Sequence, residues 1–358
     1  MKILRVPEKD LDDLTVEDLG GVRKDKTICI VRYGAFGDIL IASSVFPIFK
    51  EMGYRVCVNV SERGLDILRH DPNVDEIIVQ QTDQIPNTRL TEYWSIMAKG
   101  FDRLIQLSES IEQTLLLMPS HLIKMDGKEV RVPANPNYEK DKDFIHNMCD
   151  VNYLERTHEI CDVPFNFSPR FFPTKSEKKF AKNFKRNLKT KHLIMWVLSG
   201  SSVHKVYPWV DPIIAKLLSS REDVTVLTVG DEVCQMLEIG WENEKRVITK
   251  SGKMDIRKTL SLLDVCDIVV GPETGVLNAA SCMDVHKVIF LSHSSRENMV
   301  KHWINTTAFE PEDCPCFPCH KLHFGFETCN RDLRTGGALC AANIHPEGVY
   351  NDIVRHLG

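Results

Sequence analysis

The run Gly271-Pro272-Glu273-Thr274-Gly275-Val276-Leu277-Asn278-Ala279-Ala280 directly follows the apolar stretch Ile268-Val269-Val270. An apolar strand that ends in a glycine turn and passes into a helix leaves backbone N–H groups unpaired at the helix N-terminus. These lie at the positive end of the helix dipole and so make an anion site. Thr274 adds a hydroxyl, Gly275 lets a phosphate come close to the backbone, and Glu273 is an acceptor suited to a sugar or ribose hydroxyl. The N-terminal half carries a matching junction: Ile28-Cys29-Ile30-Val31-Arg32, then Tyr33-Gly34-Ala35-Phe36-Gly37-Asp38, then a helical pattern from Ile39. Two strand–glycine–helix junctions, one in each half, predict an α/β chain of two doubly wound, Rossmann-like domains facing a central cleft.

The rest of the chain alternates in the same way. Strands are predicted at Thr27–Arg32, Arg55–Val60, Glu76–Val79 and Asp102–Leu107, with helices over Asp38–Met52 and Glu62–Arg69. After a proline-rich stretch, Pro164–Ser176, the pattern restarts with a basic helix at Glu177–Lys189. Further strands are predicted at His192–Leu198, Val224–Val229, Val247–Thr249, up to Val270 and at Lys287–Leu291. Helices are read at Pro208–Leu218, Glu232–Leu237, Asp255–Val265 and from Gly275. Such alternation signals parallel sheets covered on both faces, and proline-rich connections often bridge domains. The expected organisation is a loosely ordered or helical lead-in over residues 1–26, one domain over 27–170 and a second over 171–358. Residues 119–140, with three prolines, read as an irregular insertion.

A length of 358 residues suits two domains, and 43% hydrophobic with 27% charged residues is ordinary for a soluble globular chain. The net charge of −5 argues against a general nucleic-acid binder. No apolar run reaches the roughly 18 residues that would suggest a membrane span, and the N-terminus lacks an apolar signal core. The expected location is cytoplasmic, with peripheral contact at the inner face of a membrane left open. Seven of the 12 cysteines are scattered singly and read as small buried residues in a reducing compartment.

The other five cluster near the C-terminus. Cys316 and Cys319 form a C-x-x-C pair, and Cys329 and Cys340 follow at spacings of ten and eleven. Four thiolates so arranged suit a tetrahedral structural zinc or iron ion, with Cys314, His320 and His323 as alternative ligands. Free buried thiols and disulfides are the competing readings. With zinc or with iron, the metal-binding segment is expected over 312–342.

Three motifs stand in order along the chain. Arg32-Tyr33-Gly34-Ala35-Phe36-Gly37-Asp38 matches R-x-G-A-x-G-D, and Pro72-Asn73-Val74-Asp75-Glu76-Ile77 is close to N-P-x-V-D-E-I. Gly271–Ala280 is close to D-T-G-x-x-H-x-A-A. In these the chain resembles glycosyltransferase family nine, the heptosyltransferase-like enzymes of GT-B fold, over roughly residues 27–355. It departs from the pattern in carrying Glu273 for the usual Asp and Asn278 for the usual His, and the terminal cysteines are not part of the common pattern.

The resemblance implies transfer of a heptose or related sugar from a nucleotide-diphosphate sugar, an ADP-sugar by preference, to an acceptor hydroxyl with inversion. The second domain would hold the nucleotide. The first would hold the acceptor, whether glycan, lipid-linked saccharide or protein. Asp38, read alone, is either a general base or a helix cap; the resemblance assigns it as the base, with Gly34 and Gly37 beside it. The loop Leu198–Lys205 offers Ser201, Ser202 and a cation, and the resemblance makes Lys205 the phosphate lysine. His204 in the same loop reads as exposed or as an acid–base group. Gly230 and Asp231 resemble the nucleoside-side turn, with a plain capped turn as the alternative. Glu273, Thr274, Gly275 and Asn278 complete the donor site. The one Asp-x-Asp, Asp141-Lys142-Asp143, does not end a strand, so no divalent metal is expected on the donor diphosphate. Competing readings are a GT-B-type sugar-nucleotide epimerase or phosphorylase, and a non-catalytic nucleotide-sugar-binding protein.

Overall fold

The computed structural model describes residues 1–24, 26–108, 149–166, 169–321, 325–326 and 329–358, together with the backbone of 121–125 and 128–132. The chain divides into two compact units, Met1–Asp143 with Tyr153–Phe172, and Phe144–Asn152 with Pro173–Gly358. No helix among the described residues is long and apolar enough to cross a membrane.

The first unit holds a parallel sheet of β1 (Lys2–Arg5), β2 (Thr27–Val31), β3 (Arg55–Val60), β4 (Glu76–Val79) and β5 (Arg103–Gln106), in the order β1-β4-β3-β2-β5. Strands β2 and β4 are buried along their whole length, as near-continuous apolar runs of a sheet covered on both faces should be. The unit's helices are α1 (Phe36–Ser43), α2 (Phe46–Glu51), α3 (Glu62–Leu68), α4 (Leu90–Ala98) and α5 (Tyr153–Cys161). The single helix expected over Asp38–Met52 is two helices, the second with Pro47 in its first turn. A proline there supplies no N–H to the preceding turn but suits a helix start.

The first residues are not a loose lead-in. Strand β1 pairs with β4, and Val6, Leu11, Leu14 and Leu19 are buried with Ile78 and Trp94. As an edge strand β1 is largely exposed, which hides it from a search for apolar runs. The expected irregular insertion contains an antiparallel hairpin, β6 (His121–Met125) with β7 (Lys128–Val132).

The second unit is a six-stranded parallel sheet of β8 (His192–Val197), β9 (Val224–Val229), β10 (Val247–Thr249), β11 (Ile268–Pro272), β12 (His286–Phe290) and β13 (Thr306–Phe309). Its order is β10-β9-β8-β11-β12-β13. Counted from β8, this is the doubly wound order 3-2-1-4-5-6. Its helices are α6 (Lys175–Arg186), α7 (Val210–Ser220), α8 (Ile256–Ser261), α9 (Gly275–Ala280), α10 (Arg296–Met299), α11 (Leu339–Ala342) and α12 (Pro346–Leu357). Trp196, Ile214, Val226, Val270, Phe290 and Ile353 share its core. Helix α6 starts on a capping box, with Thr174 N–H donating to Glu177 at 2.6 Å and Glu177 N–H to Thr174 Oγ1 at 3.2 Å. The same Glu177 takes both arms of the buried Arg257 at 2.7 and 2.9 Å, which fastens α6 to α8.

Residues 149–152 lie before the proline-rich connection but pack into this second unit. Two buried asparagines make the clasp. Asn152 Nδ2 donates to the carbonyls of Glu297 and Asn298 at 3.0 and 3.2 Å, and Asn298 Nδ2 donates to those of Cys149 and Val151 at 3.0 and 2.8 Å. The sequence reading placed these residues in the first domain. A short polar stretch has no periodicity to show which sheet it joins.

Candidate functional site

In an open parallel sheet, ligands bind beyond the carboxyl ends of the strands where the order reverses. In the second unit that point lies between β8 and β11, which run in register with Ile194 opposite Ile268 and Trp196 opposite Val270. It brings the Leu198–Lys205 loop beside the Gly271–Gly275 turn. Gly271 is required by the approach: a Cβ there would lie 2.7 Å from Val197 Cβ and 2.8 Å from the Val197 carbonyl oxygen. Above it, a Cβ at Gly200 would meet Lys205 Cδ at 2.6 Å and Thr274 Cγ2 at 3.3 Å. Lys205 and Thr274 therefore flank the bare backbone of Gly200.

Ser201 is exposed and Ser202 is buried in this loop. The hydroxyls of Ser202 and Thr274 are both buried without a hydrogen-bond partner. Buried polar groups are normally paired, so two orphan hydroxyls at the switch point could meet ligand oxygens. Thr274 is the N-cap of α9 but makes no side-chain capping bond. Asn278, one turn along α9, is half-buried.

Glu273 does not present its carboxylate to a ligand. It is buried, and its Oε1 accepts from the backbone N–H of Ser292 at 3.1 Å and of Ser294 at 3.3 Å. Ser294 Oγ donates to Oε2 at 3.3 Å, and His293 forms an ion pair with the same oxygen. Burial alone would raise this carboxyl. The charge and hydrogen bond of His293, the charge of Lys205 and the Ser294 amide outweigh it and hold the group below the ordinary glutamate range. The sequence reading gave Glu273 to a sugar hydroxyl; the structure makes it the anchor of residues 292–294, with Lys205 in its field.

His204, read as an exposed loop histidine or an acid–base group, is buried. Its Nδ1 lies 2.8 Å from Ser292 Oγ, and its ring sits 4.5 Å from that of His293. The next layer outward is His320, whose backbone N–H donates to the His293 carbonyl at 2.8 Å. Its Nε2 lies 3.2 Å from Asp150 Oδ1, and Asp150 also accepts from Ser295. His293, Ser292, His320 and Asp150 escaped the sequence reading as members of one network. The usable signal was the polar run Ser292-His293-Ser294-Ser295 placed directly after an apolar strand.

At the end of β9, Gly230 is needed because a Cβ there would sit 2.5 Å from Cys234. Asp231 is exposed and accepts from Cys234 N–H at 3.1 Å, which is the capped turn weighed as its alternative. The buried acceptor below this turn is Glu238. Its Oε1 takes Thr228 Oγ1 at 2.6 Å, Ser251 Oγ at 2.8 Å, Ser251 N–H at 3.0 Å and Lys250 N–H at 3.1 Å, which ties the ends of β9 and β10 together.

The first unit reverses its order between β2 and β5. Here Arg32, fully buried, donates to the Leu107 carbonyl at 2.7 Å and pairs with Asp38 Oδ1 at 3.1 Å. Asp38 stands in the first turn of α1 and its Oδ2 accepts from Ala35 N–H at 2.7 Å, so it caps the helix. Its side chain keeps 30% of its surface exposed. Gly34, at φ +119°, leaves the room: a Cβ there would lie 2.4 Å from Asp38 Oδ2. Gly37 is buried within α1.

Cys314, Cys329 and Cys340 carry free thiols. Cys340 is buried in a small cluster against which Cys314 and Cys329 pack, and Cys314 Sγ lies 3.6 Å from Cys316 Sγ. Burial pushes the Cys319 thiol up to about 11. Burial also raises Cys340, and the neighbouring thiols of Cys329, Cys319 and Cys316 raise it further. The sulfurs are gathered, but among the described residues no three of them come within 4.8 Å of one another. His323, Asp141 and Asp143 lie outside the described residues.

No family profile matches the chain, and no curated protein does. Solved structures do. The ADP-heptose LPS heptosyltransferase II of E. coli superposes with a TM-score of 0.62 at 13% identity, covering 92% of this chain and 98% of that one. A glycosyl transferase family 9 protein of Veillonella parvula gives a TM-score of 0.62 at 15% identity, over 93% and 97% of the two chains. The iron-containing dodecameric glycosyltransferase TibC of enterotoxigenic E. coli gives 0.56 at 15%, over 94% of this chain and 78% of that one. Coverage of 92–94% of this chain at these TM-scores identifies the architecture: this chain has the GT-B fold of the heptosyltransferases and family 9 glycosyltransferases.

Proposed function

We propose that this protein is a glycosyltransferase that moves a heptose or related sugar from a nucleotide-diphosphate sugar to an acceptor hydroxyl. One observation carries the reading. At the switch point of the 3-2-1-4-5-6 sheet, Lys205 and Thr274 flank the bare backbone of Gly200, next to two buried hydroxyls without partners. A diphosphate needs such an arrangement: one cation, hydroxyl donors and backbone that can be approached closely. An ADP-sugar is favoured because TibC has been captured with ADP-D-beta-D-heptose. A glycan, a lipid-linked saccharide or a protein would supply the acceptor hydroxyl, and the setting would be the cytoplasm.

In the reaction, the acceptor oxygen forms a bond to the anomeric carbon while the bond from that carbon to the diphosphate breaks, with inversion. The electron pair leaves on the diphosphate. Lys205 and the hydroxyls of Ser202 and Thr274 stabilise the developing charge. Glu273 stays ionised beneath them and keeps Lys205 and residues 292–294 in place. Asp38 takes the acceptor's proton. In this reading Lys205 and the two hydroxyls carry the leaving group's charge, with no divalent ion on the diphosphate.

The terminal cysteines fit a structural ion. Thiols that raise one another's pKa are groups that a bound cation would bring down together. Cys316, Cys319, Cys329 and Cys340 would close around zinc or iron, and TibC's iron makes iron a natural reading. Such an ion would supply folding stability to the segment and take no part in transfer.

A second reading, a nucleotide-sugar-binding protein without turnover, is favoured by one observation: both Asp38 oxygens are engaged, by Arg32 and by Ala35 N–H. Incubation with ADP-heptose separates the two. A transferase releases ADP, with or without acceptor, and Asp38→Asn abolishes the release while ADP still binds. Saturable binding with no ADP released by the wild type would sink the catalytic reading.

A further inference from the structure

We infer that His286, Asp352 and His356 form a binding site for a divalent first-row transition-metal ion, separate from the switch point and from the terminal cysteines. His286 opens β12, while Asp352 and His356 lie one turn apart on α12. One ligand atom from each lies within 4.8 Å of the other two. The shared atom is Asp352 Oδ2, 3.0 Å from His286 Nε2 and 3.6 Å from His356 Nδ1. A tetrahedral ion with bonds of about 2.0–2.1 Å separates its ligands by about 3.3–3.4 Å, and the two separations bracket that value.

The carboxylate is set up for the task. Its other oxygen, Oδ1, accepts from Thr307 Oγ1 at 3.2 Å and pairs with Arg355, which leaves Oδ2 to the two imidazoles. Metal-ligating carboxylates are commonly held by such outer partners. Asp352 is itself buried.

The two imidazole rings now lie face to face, with centroids 3.4 Å apart, and His356 Nδ1 rests 2.8 Å from the Asp352 carbonyl. His356 is exposed near the chain end, so its ring can turn to aim a lone pair at the ion. Each ring then carries its proton on the outer nitrogen, and no redox step is involved. Two nitrogens and one carboxylate oxygen suit zinc and its neighbours, with water in the fourth position. Because Thr307 belongs to β13, the ion would pin the last helix to two strands of the sheet.

The test is zinc titration by calorimetry on the full chain after chelator treatment, comparing wild type with His356→Ala and His286→Gln. Both variants should bind about one equivalent fewer than wild type, or bind it with affinity lowered by at least ~100-fold, since losing a ligand outweighs the 10–100-fold cost of losing an outer partner. Zinc should also raise the melting temperature of wild type by more than that of His356→Ala. Cobalt gives a readout independent of stability: visible absorption from a nitrogen–oxygen site that is present in wild type and absent in His356→Ala. Equal stoichiometry, affinity and cobalt spectra in wild type and His356→Ala would overturn the assignment and leave a plain histidine–aspartate contact. If His286→Gln fails to fold, the surface variant alone decides.

Discussion

Lys205 and Thr274 approach each other over Gly200 so closely that a single methyl group there would meet both side chains. That relationship sets a loop lysine beside a threonine at a helix start. It yields a direct prediction. Lys205→Ala should weaken ADP binding by roughly 10–100-fold, the loss of one charge-assisted contact. Gly200→Ala should weaken it through displacement of Lys205, with the charge retained. Isothermal titration with ADP measures both. Unchanged affinity in both variants would move the nucleotide elsewhere.

Asp38 is expected to act in the chemical step. Asp38→Asn preserves its shape but removes the base, so kcat should fall about 100-fold or more with little change in donor affinity. Asp38→Ala should in addition lower the melting temperature, because Ala35 N–H loses its acceptor and the buried Arg32 loses its carboxylate. A split between the two variants, with activity lost in both and stability lost mainly in Ala, separates the catalytic role from the capping role.

The buried Glu273 carries a pH signature. Its folded-state pKa lies below the unfolded value, so the unfolded chain takes up a proton first as the solution is acidified. The stability it contributes is fully present above the ordinary glutamate value of about 4.3 and is lost as the pH falls through the lower folded value. Glu273→Gln should be less stable than wild type at pH 7, and the difference should shrink toward pH 3. Denaturant melts across that range check the slope. A constant gap would mean that His293 and Lys205 do not hold the charge.

For the cysteines, replacing Cys319 or Cys340 by Ser should lower metal content measured on untagged protein and lower the melting temperature. ADP-release kinetics at a temperature where the variant remains folded should stay within about twofold of wild type, as a structural ion requires. Metal content near zero in the wild type would dismiss the site.

Legibility in the sequence followed burial. Strands Arg55–Val60, Glu76–Val79 and Val224–Val229 stand where they were read, because buried parallel strands are apolar runs cut off by breakers. Strand β1 escaped notice because an edge strand has no such run, and β13 because it is short and begins with two threonines. The glycine turns were equally plain, since close backbone approach restricts the residue type. What sequence could not show was side-chain direction. Glu273 has the chemistry of a ligand acceptor, yet it turns inward. Its partners Ser292 and Ser294 lie 19 and 21 residues on, and only the registry of β11 against β12 brings them near.

The asparagine clasp between Asn152 and Asn298 has a consequence for modularity. The second unit is not a contiguous half of the chain, because it borrows residues from before the proline-rich connection. Asp150 in that borrowed piece also braces Ser295 and His320, beside the residues that hold Glu273. A chimera spliced at Pro173, or the C-terminal half produced alone, would therefore leave the amides and carbonyls of the clasp without partners. A hybrid that exchanges the first unit must carry residues 149–152 along with the second, so the two units of this chain cannot be recombined by a single crossover.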